Sequence, residues 1–176
     1  SSARARASIK SFISFCILIV LSPVFLIVSV IILVDDGFPV FFRQKRVGQN
    51  EKYFWIFKFR TMKKNIPDIP THLLTDSIGI YTKSGPFLRK YSLDEIPQFL
   101  NIFLGELAFI GPRPALHNQQ DLIKLRRAKN IHKLKPGITG WAQVNGRDSV
   151  SIDEKVMLDY FYFLKMSPYL DIKIIF

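Results

Sequence analysis

Asp94 and Glu95 stand side by side in SLDE (residues 92–95), with Arg89 and Lys90 just before them and Arg113, set between Pro112 and Pro114, further on. Neighbours on a helix diverge by about 100°, so the two carboxylates cannot face each other as an acid and base pair for glycoside hydrolysis. They can share one Mg²⁺, which takes one or two carboxylates and completes its shell with phosphate oxygens and water. A carboxylate can also attack phosphorus and form an acyl phosphate. Two prolines restrict the backbone around Arg113, which suits a guanidinium gripping phosphate with two N–H groups. Lys58 and Arg60, two apart on a strand-like run, point to one face, opposite Phe57 and Phe59.

SLDE has an echo in SIDE (151–154), and both fit a helix capping box. Ser92 is expected to cap one amphipathic helix over residues 93–104, with Asp94 in its first turn, where free N–H groups welcome a carboxylate or a phosphate. The second box has no fixed arginine beside it. Glu154 and Asp159 are therefore read as a cap and a surface helix. His72, His117 and His132 show no metal-ligand spacing, and there is no Ser-His-Asp arrangement, P-loop or dinucleotide fingerprint.

A chain of 176 residues, 48% hydrophobic and 14% aromatic, is a folded protein rather than a disordered polymer. Its 25 Lys and Arg against 14 Asp and Glu give a net charge of +11, which favours anionic partners: nucleic acid, phosphorylated metabolites or acidic lipid. Cys16 is the single cysteine and lies in an apolar run, so no disulfide framework exists.

That run, from Ser11 to Val34, holds 24 residues without a charge and reads as a membrane segment. Ser22-Pro23 at its middle predicts a kink. A straight helix of this length is ~36 Å long, whereas either half, at ~18 Å, falls short of the ~30 Å hydrocarbon core. Arg4, Arg6 and Lys10 precede the segment; Arg43, Lys45 and Arg46 follow Asp35-Asp36. With positive charge at both ends, a re-entrant hairpin keeps both flanks in the cytoplasm, and a kinked spanning helix does not. The residues alone leave both open.

Downstream, residues 39–62 read as two strands around a turn at Gly48-Gln49-Asn50. Residues 63–84 read as a long loop. LAFI (107–110) reads as a short strand, and residues 115–135 as a helical run carrying six cations from Lys124 to Lys135, either a solvated face or a helix lying on acidic lipid. KPGITGWAQVNGR (135–147) reads as loop and strand, and residues 151–166 as a last helix that ends at Ser167-Pro168.

KFRTM (58–62), FLRKYSLDEIPQFLNIFLGELAFIGPRP (87–114) and KPGITGWAQVNGR (135–147), in this order behind one apolar segment, resemble the monotopic phosphoglycosyl transferases, the bacterial sugar transferase family, and in particular its small PglC-type members. The resemblance covers nearly the whole chain. It implies an α+β fold: a re-entrant N-terminal membrane helix-hairpin kinked at Ser22-Pro23, a short β-hairpin or small sheet, and several amphipathic helices at the membrane interface. Residues 1–36 would be the membrane-associated segment and 37–176 the catalytic domain, on the cytoplasmic face of the bacterial inner membrane. The implied reaction moves a sugar 1-phosphate from a UDP-sugar to polyprenyl (undecaprenyl) phosphate, releasing UMP, through a phosphosugar adduct on the enzyme and with Mg²⁺.

On matching positions, the resemblance makes Asp94 the nucleophile and Glu95 its metal-associated partner, both near the ion. Arg89 and Arg113 would hold phosphate, Lys58 and Arg60 would add positive charge, and Thr139, Gln143, Asn145 and Arg147 would serve the nucleotide side. A modified, N-acetylated UDP-sugar such as diacetylbacillosamine is the donor it suggests. Tyr91 departs from the family, where many members carry a smaller residue. The rival reading is a non-catalytic basic module that binds the membrane surface. Nucleic-acid binding is not expected, because no recognition motif accompanies the charge.

Overall fold

A computed structural model describes residues 2–64, 79–146 and 150–176. The fold is α+β: eight α-helices and two two-stranded sheets occur among the described residues. The chain packs as two compact units, one made of residues 1–44 and 55–105, the other of residues 45–54 and 106–176. The apolar N-terminal segment therefore shares a unit with SLDE, and the boundary expected at residue 36 is not where packing divides the chain. The expected hairpin is β1 (Phe41–Val47) and β2 (Tyr53–Phe59), joined by a 3₁₀ turn at Gln49–Glu51 in which Asn50 and Glu51 take positive φ.

In the first unit the apolar run forms α1 (Ser2–Val20) and α2 (Ser22–Asp36). Pro23, without an N–H, sits in the first turn of α2, where no intrahelical donor is needed. The axis turns by 60° at the break, as the kink at Ser22-Pro23 requires. Among the described residues no single helix is long and apolar enough to cross a membrane, but Ser11–Val20 and Ser22–Asp36 together pass on length and composition. Phe12, Val20, Leu26, Ile27 and Val34 are exposed, whereas Val28 and Ile32 join Val40, Phe59, Leu88 and Ile96 in a core. Ser11 and Ser14 donate to the carbonyls of Phe103 and Phe99, fastening α1 to α4 (Gln98–Phe103). Gly37 ends α2 at φ +67°, a left-handed value that a side chain resists, and its N–H reaches Leu33 O at 3.1 Å.

The single helix expected over 93–104 is broken. Leu93–Glu95 is a 3₁₀ turn, and α4 starts only at Gln98. Pro97 has no N–H to return to the preceding turn. Ser92 is held at φ 54°, outside the extended geometry an N-cap needs, and its side chain caps nothing. The residues before it form α3 (Gly85–Lys90). Of the expected long loop, residues 65–78 lie outside the described part; Met62 and Tyr81 pair across its base.

In the second unit β3 (Ala108–Ile110) and β4 (Gly137–Thr139) pair in parallel, Ala108 opposite Gly137 and Ile110 opposite Thr139. The helical run is shorter than expected: α5 spans Gln120–Ala128, followed by a 3₁₀ turn at Ile131–Lys133. After α6 (Trp141–Val144), SIDE forms a true capping box on α7 (Ile152–Lys165). Ser151 Oγ accepts from Glu154 N at 3.3 Å, and Glu154 accepts from Ser151 N at 2.9 Å. α7 is not the last helix: Pro168 opens α8 (Pro168–Ile175), and Ser167 Oγ accepts from Leu170 N at 3.2 Å. Proline at a first helical position starts a helix as readily as it stops one. Tyr162 then ties the two by donating to Asp171 Oδ1 at 2.7 Å, and its burial pushes the phenol well above its ordinary range.

Asp159 corrects the surface reading of α7. It is 2% exposed and accepts from Arg126 Nε at 3.0 Å and Nη2 at 2.6 Å, while Arg126 Nη1 donates to Arg113 O at 2.8 Å. One of the six cations of the basic run is thus turned inward, clamping α5 to α7 and to the Pro-Arg-Pro turn. Removing one member of such a pair strands a buried charge. Asp159→Ala is expected to cost about 3–5 kcal/mol, and Arg126→Met with Asp159→Leu to recover most of it, read from thermal unfolding of the detergent-solubilised chain.

Candidate functional site

β2 carries Lys58, and the side chain of Asn101 on α4 fixes where that strand runs. Asn101 is fully buried; its Nδ2 donates to Trp55 O at 2.7 Å and its Oδ1 accepts from Phe57 N at 3.1 Å. The carboxamide thus serves β2 as a strand partner would, satisfying main-chain groups that burial would otherwise orphan. With α4 pinned there, the preceding turn sets Glu95 against Lys58, Nζ to Oε1 at 2.7 Å, both side chains largely buried.

Asp94 is 6% exposed. Burial pushes its carboxyl above the ordinary range; Lys58 pulls it down, Glu95 pushes it up, and Arg89 pulls it down. Arg89 stands in the last turn of α3 with its guanidinium 5.2 Å from the Tyr81 ring centroid. The structure therefore brings Lys58, Glu95 and Arg89 within electrostatic reach of Asp94.

Arg60 is different. It lies past the end of β2, is 5% exposed, and leaves the strand alternation that would have aimed it with Lys58. Nε donates to Pro39 O at 2.6 Å, Nη1 to Asp36 Oδ2 and Met62 O, and Nη2 to Asp36 O at 3.1 Å and Gly37 O at 2.7 Å. A guanidinium has five N–H donors, and protein acceptors occupy all five. These bonds make Arg60, expected to add positive charge beside Lys58, a clamp on the end of α2. Asp35, one residue earlier, accepts from Ser84 N and Ser84 Oγ, each at 2.6 Å, and these bonds hold its carboxyl below the usual range.

The remaining expected site residues belong to the second unit. Arg113 is half-buried between its prolines. Thr139 closes β4, and its carbonyl accepts from Gly111 N at 2.9 Å. Gln143 Nε2 donates to Ile138 O at 2.7 Å while its buried Oε1 has no partner among the described residues, and Asn145 Nδ2 donates to Trp141 O at 2.8 Å. Arg147 and His72 lie outside the described residues; His117 and His132 are half-buried in the second unit.

No group of three or more His, Cys, Asp or Glu able to hold a metal occurs among the described residues. Asp94 and Glu95 alone suit an ion that completes its shell with substrate phosphate and water, which is the habit of Mg²⁺. Lys58 already occupies Glu95 Oε1, so an ion on this step would share that carboxylate with the ammonium.

Sequence reasoning missed Asn101 and the engagement of Asp35 and Asp36. The signal for the latter was present: two carboxylates in the last turn of a helix oppose its macrodipole and need partners.

The sequence pattern of the bacterial sugar transferases matches residues 2–176. Sugar transferase EpsL of Bacillus subtilis, itself described as uncharacterized, is 42% identical over 154 residues, 88% of this chain and 75% of EpsL. The UDP-glucose:undecaprenyl-phosphate glucose-1-phosphate transferase of Escherichia coli is 39% identical over 167 residues, 91% of this chain and 36% of that enzyme. The UDP-N-acetylgalactosamine-undecaprenyl-phosphate N-acetylgalactosaminephosphotransferase of Aeromonas hydrophila is 34% identical over 160 residues, 88% of this chain and 38% of that protein. The chain thus spans three quarters of the first relative and little more than a third of the other two.

A raised carboxyl has a consequence for stability. Between the unfolded carboxyl pKa of about 3.9 and the higher folded one, the folded state binds more protons, so stability falls as pH rises through that window and stays lower above it. Asp94→Asn is therefore expected to melt higher than the parent at neutral pH, with the gap closing as pH drops below the ordinary carboxylate range. A variant that melts lower at pH 7 would mean that Lys58 and Arg89 outweigh burial.

Proposed function

The chain belongs to the bacterial sugar transferases, and from that premise we propose that it transfers a sugar 1-phosphate from a UDP-sugar to undecaprenyl phosphate, giving undecaprenyl-diphosphate-sugar and UMP. The observation that carries the reading is a buried Asp94 flanked by the Lys58–Glu95 pair and Arg89. A carboxylate oxygen of Asp94 attacks the phosphorus next to the sugar. An O–P bond forms, the bond from that phosphorus to the bridging oxygen breaks, and UMP leaves. A phosphate oxygen of the polyprenyl acceptor then attacks the same phosphorus, breaking the acyl phosphate and restoring Asp94.

Lys58 keeps Glu95 neutralised, and with Arg89 it supplies fixed positive charge where phosphate oxygens gather. Mg²⁺ on the Asp94-Glu95 step would offset diphosphate charge when bound. We propose phosphate and nucleotide contacts at Arg113, Thr139, Gln143, Asn145 and Arg147 on the motif resemblance alone. The donor is a UDP-hexose or UDP-N-acetylhexosamine, the class named for the relatives.

The broken α1–α2 pair is read as a re-entrant membrane segment that keeps both ends on the cytoplasmic face of the bacterial inner membrane. Its support is the 60° turn, the exposed apolar side chains and the basic flanks. The geometry is a wide V rather than an antiparallel hairpin. On this reading a basic catalytic unit lies where a soluble nucleotide and a lipid phosphate can both arrive.

Mass spectrometry of chain quenched with donor alone is expected to find a phosphosugar on the peptide containing Asp94, absent from Asp94→Asn. UMP formed only when lipid acceptor is added would point to direct transfer, and no UMP with any donor would favour a lipid-binding module. EDTA is expected to stop adduct formation and added Mg²⁺ to restore it; turnover unchanged by EDTA would remove the metal from the scheme.

A further inference from the structure

Asp35 and Asp36 close α2 with two negative charges where the helix dipole is already negative. That placement is unfavourable for the isolated helix, and both carboxylates are engaged elsewhere. Asp35 accepts two bonds from Ser84, the residue immediately before α3, and one from Lys83 N at 3.3 Å. α3 is only six residues long and bears Arg89 in its last turn. Asp36 pairs with Arg60, which is joined to Lys58 through Phe59.

Phe59 is 1% exposed and packs against Phe25 and Phe41 at 4.8 and 5.4 Å between ring centroids, so the link from Arg60 to Lys58 has little freedom. The two arms also meet each other. A Cβ at Gly85, the first residue of α3, would lie 2.2 Å from Thr61 O, and Thr82 N donates to that same carbonyl at 3.1 Å.

We propose that Asp35 and Asp36 are positioning residues for phosphoryl transfer: the end of α2 holds α3 and the end of β2, and thereby sets Arg89 and Lys58 around Asp94 and Glu95. The proposal rests on the reading of Asp94 as nucleophile. It makes the seating of the apolar segment a determinant of the chemistry, since the helix that exposes Leu26, Ile27 and Val34 is the one that ends in the two anchors. Arg60 acts through Lys58 and does not touch substrate.

The test uses the full chain in lipid vesicles. Asp36→Asn is expected to slow donor-driven adduct formation at least tenfold while leaving the donor KM within about threefold, and Asp36→Glu to recover most of the rate. Lys58→Met combined with Asp36→Asn is expected to be no slower than Lys58→Met alone, because both act on one pair. Hydrogen exchange supplies a readout that needs no turnover: Asp36→Asn speeds exchange in peptides covering 57–60, Asp35→Asn in those covering 85–95, and neither in 24–30.

An unchanged adduct rate in Asp36→Asn, losses that multiply in the double variant, or faster exchange spread evenly over the chain would each overturn the proposal. A parent chain that forms no adduct with any donor would strike the nucleophile reading instead, and the exchange pattern would still decide whether α2 holds these arms.

Discussion

A carboxylate taken out of water has to be answered by charge. Asp94 is buried, and burial raises its carboxyl further than the nearby cations Lys58 and Arg89 lower it, with Glu95 adding to the rise. Lys58 acts twice, attracting Asp94 directly and cancelling Glu95, which would otherwise repel it. Coulombic terms of this kind are several times larger beneath a protein surface than in water, so small displacements of the lysine matter. The first unit is built around that requirement: one strand to bring the lysine, one short helix to bring the arginine, and one turn to hold both acids.

None of those pieces is stable by itself. α3 and α4 have six residues each and the turn between them three, well below the length at which a helix persists in water. Individual side chains supply the order instead. Asn101 fixes α4 to β2, Ser84 fixes α3 to α2, and Arg60 fixes the exit of β2 to the same helix end. Local propensity contributes little here, so a sequence read for propensity misplaces these elements by half a turn or more.

SLDE and SIDE show where legibility ends. The tetrapeptides differ by one residue, yet only SIDE forms the box. Ser151 is exposed and extended, free to cap α7; Ser92 stands one residue beyond the Tyr91 cap of α3, at positive φ, and Pro97 interrupts the helix it should have begun. The β-hairpin was legible because strand alternation and turn chemistry are local signals. Asp94-Glu95 and Arg89 stand out by local charge density alone, whereas Lys58 joins them only through the motif resemblance.

The inward arginines were not legible, since nothing local separates Arg60 from Lys58 or Arg126 from its solvated neighbours. Their acceptors come from residues 36–39 in one case and from Asp159 in the other.

The two buried arginines differ in what they do, and the difference follows from their acceptors. Arg126 meets a carboxylate on a facing helix and a carbonyl of the Pro-Arg-Pro turn, which joins three elements of one core. Arg60 meets three carbonyls at and just beyond the end of α2, together with Asp36. Unpaired carbonyls at a helix end call for cations, and an arginine that takes them up is bound to the direction of that helix. Because β2 enters the same guanidinium from the other side, the direction of α2 is passed to Lys58 through one residue. The surroundings of Asp94 therefore depend on where α2 ends, and the apolar helix and the Asp94-Glu95 turn are parts of one packed unit.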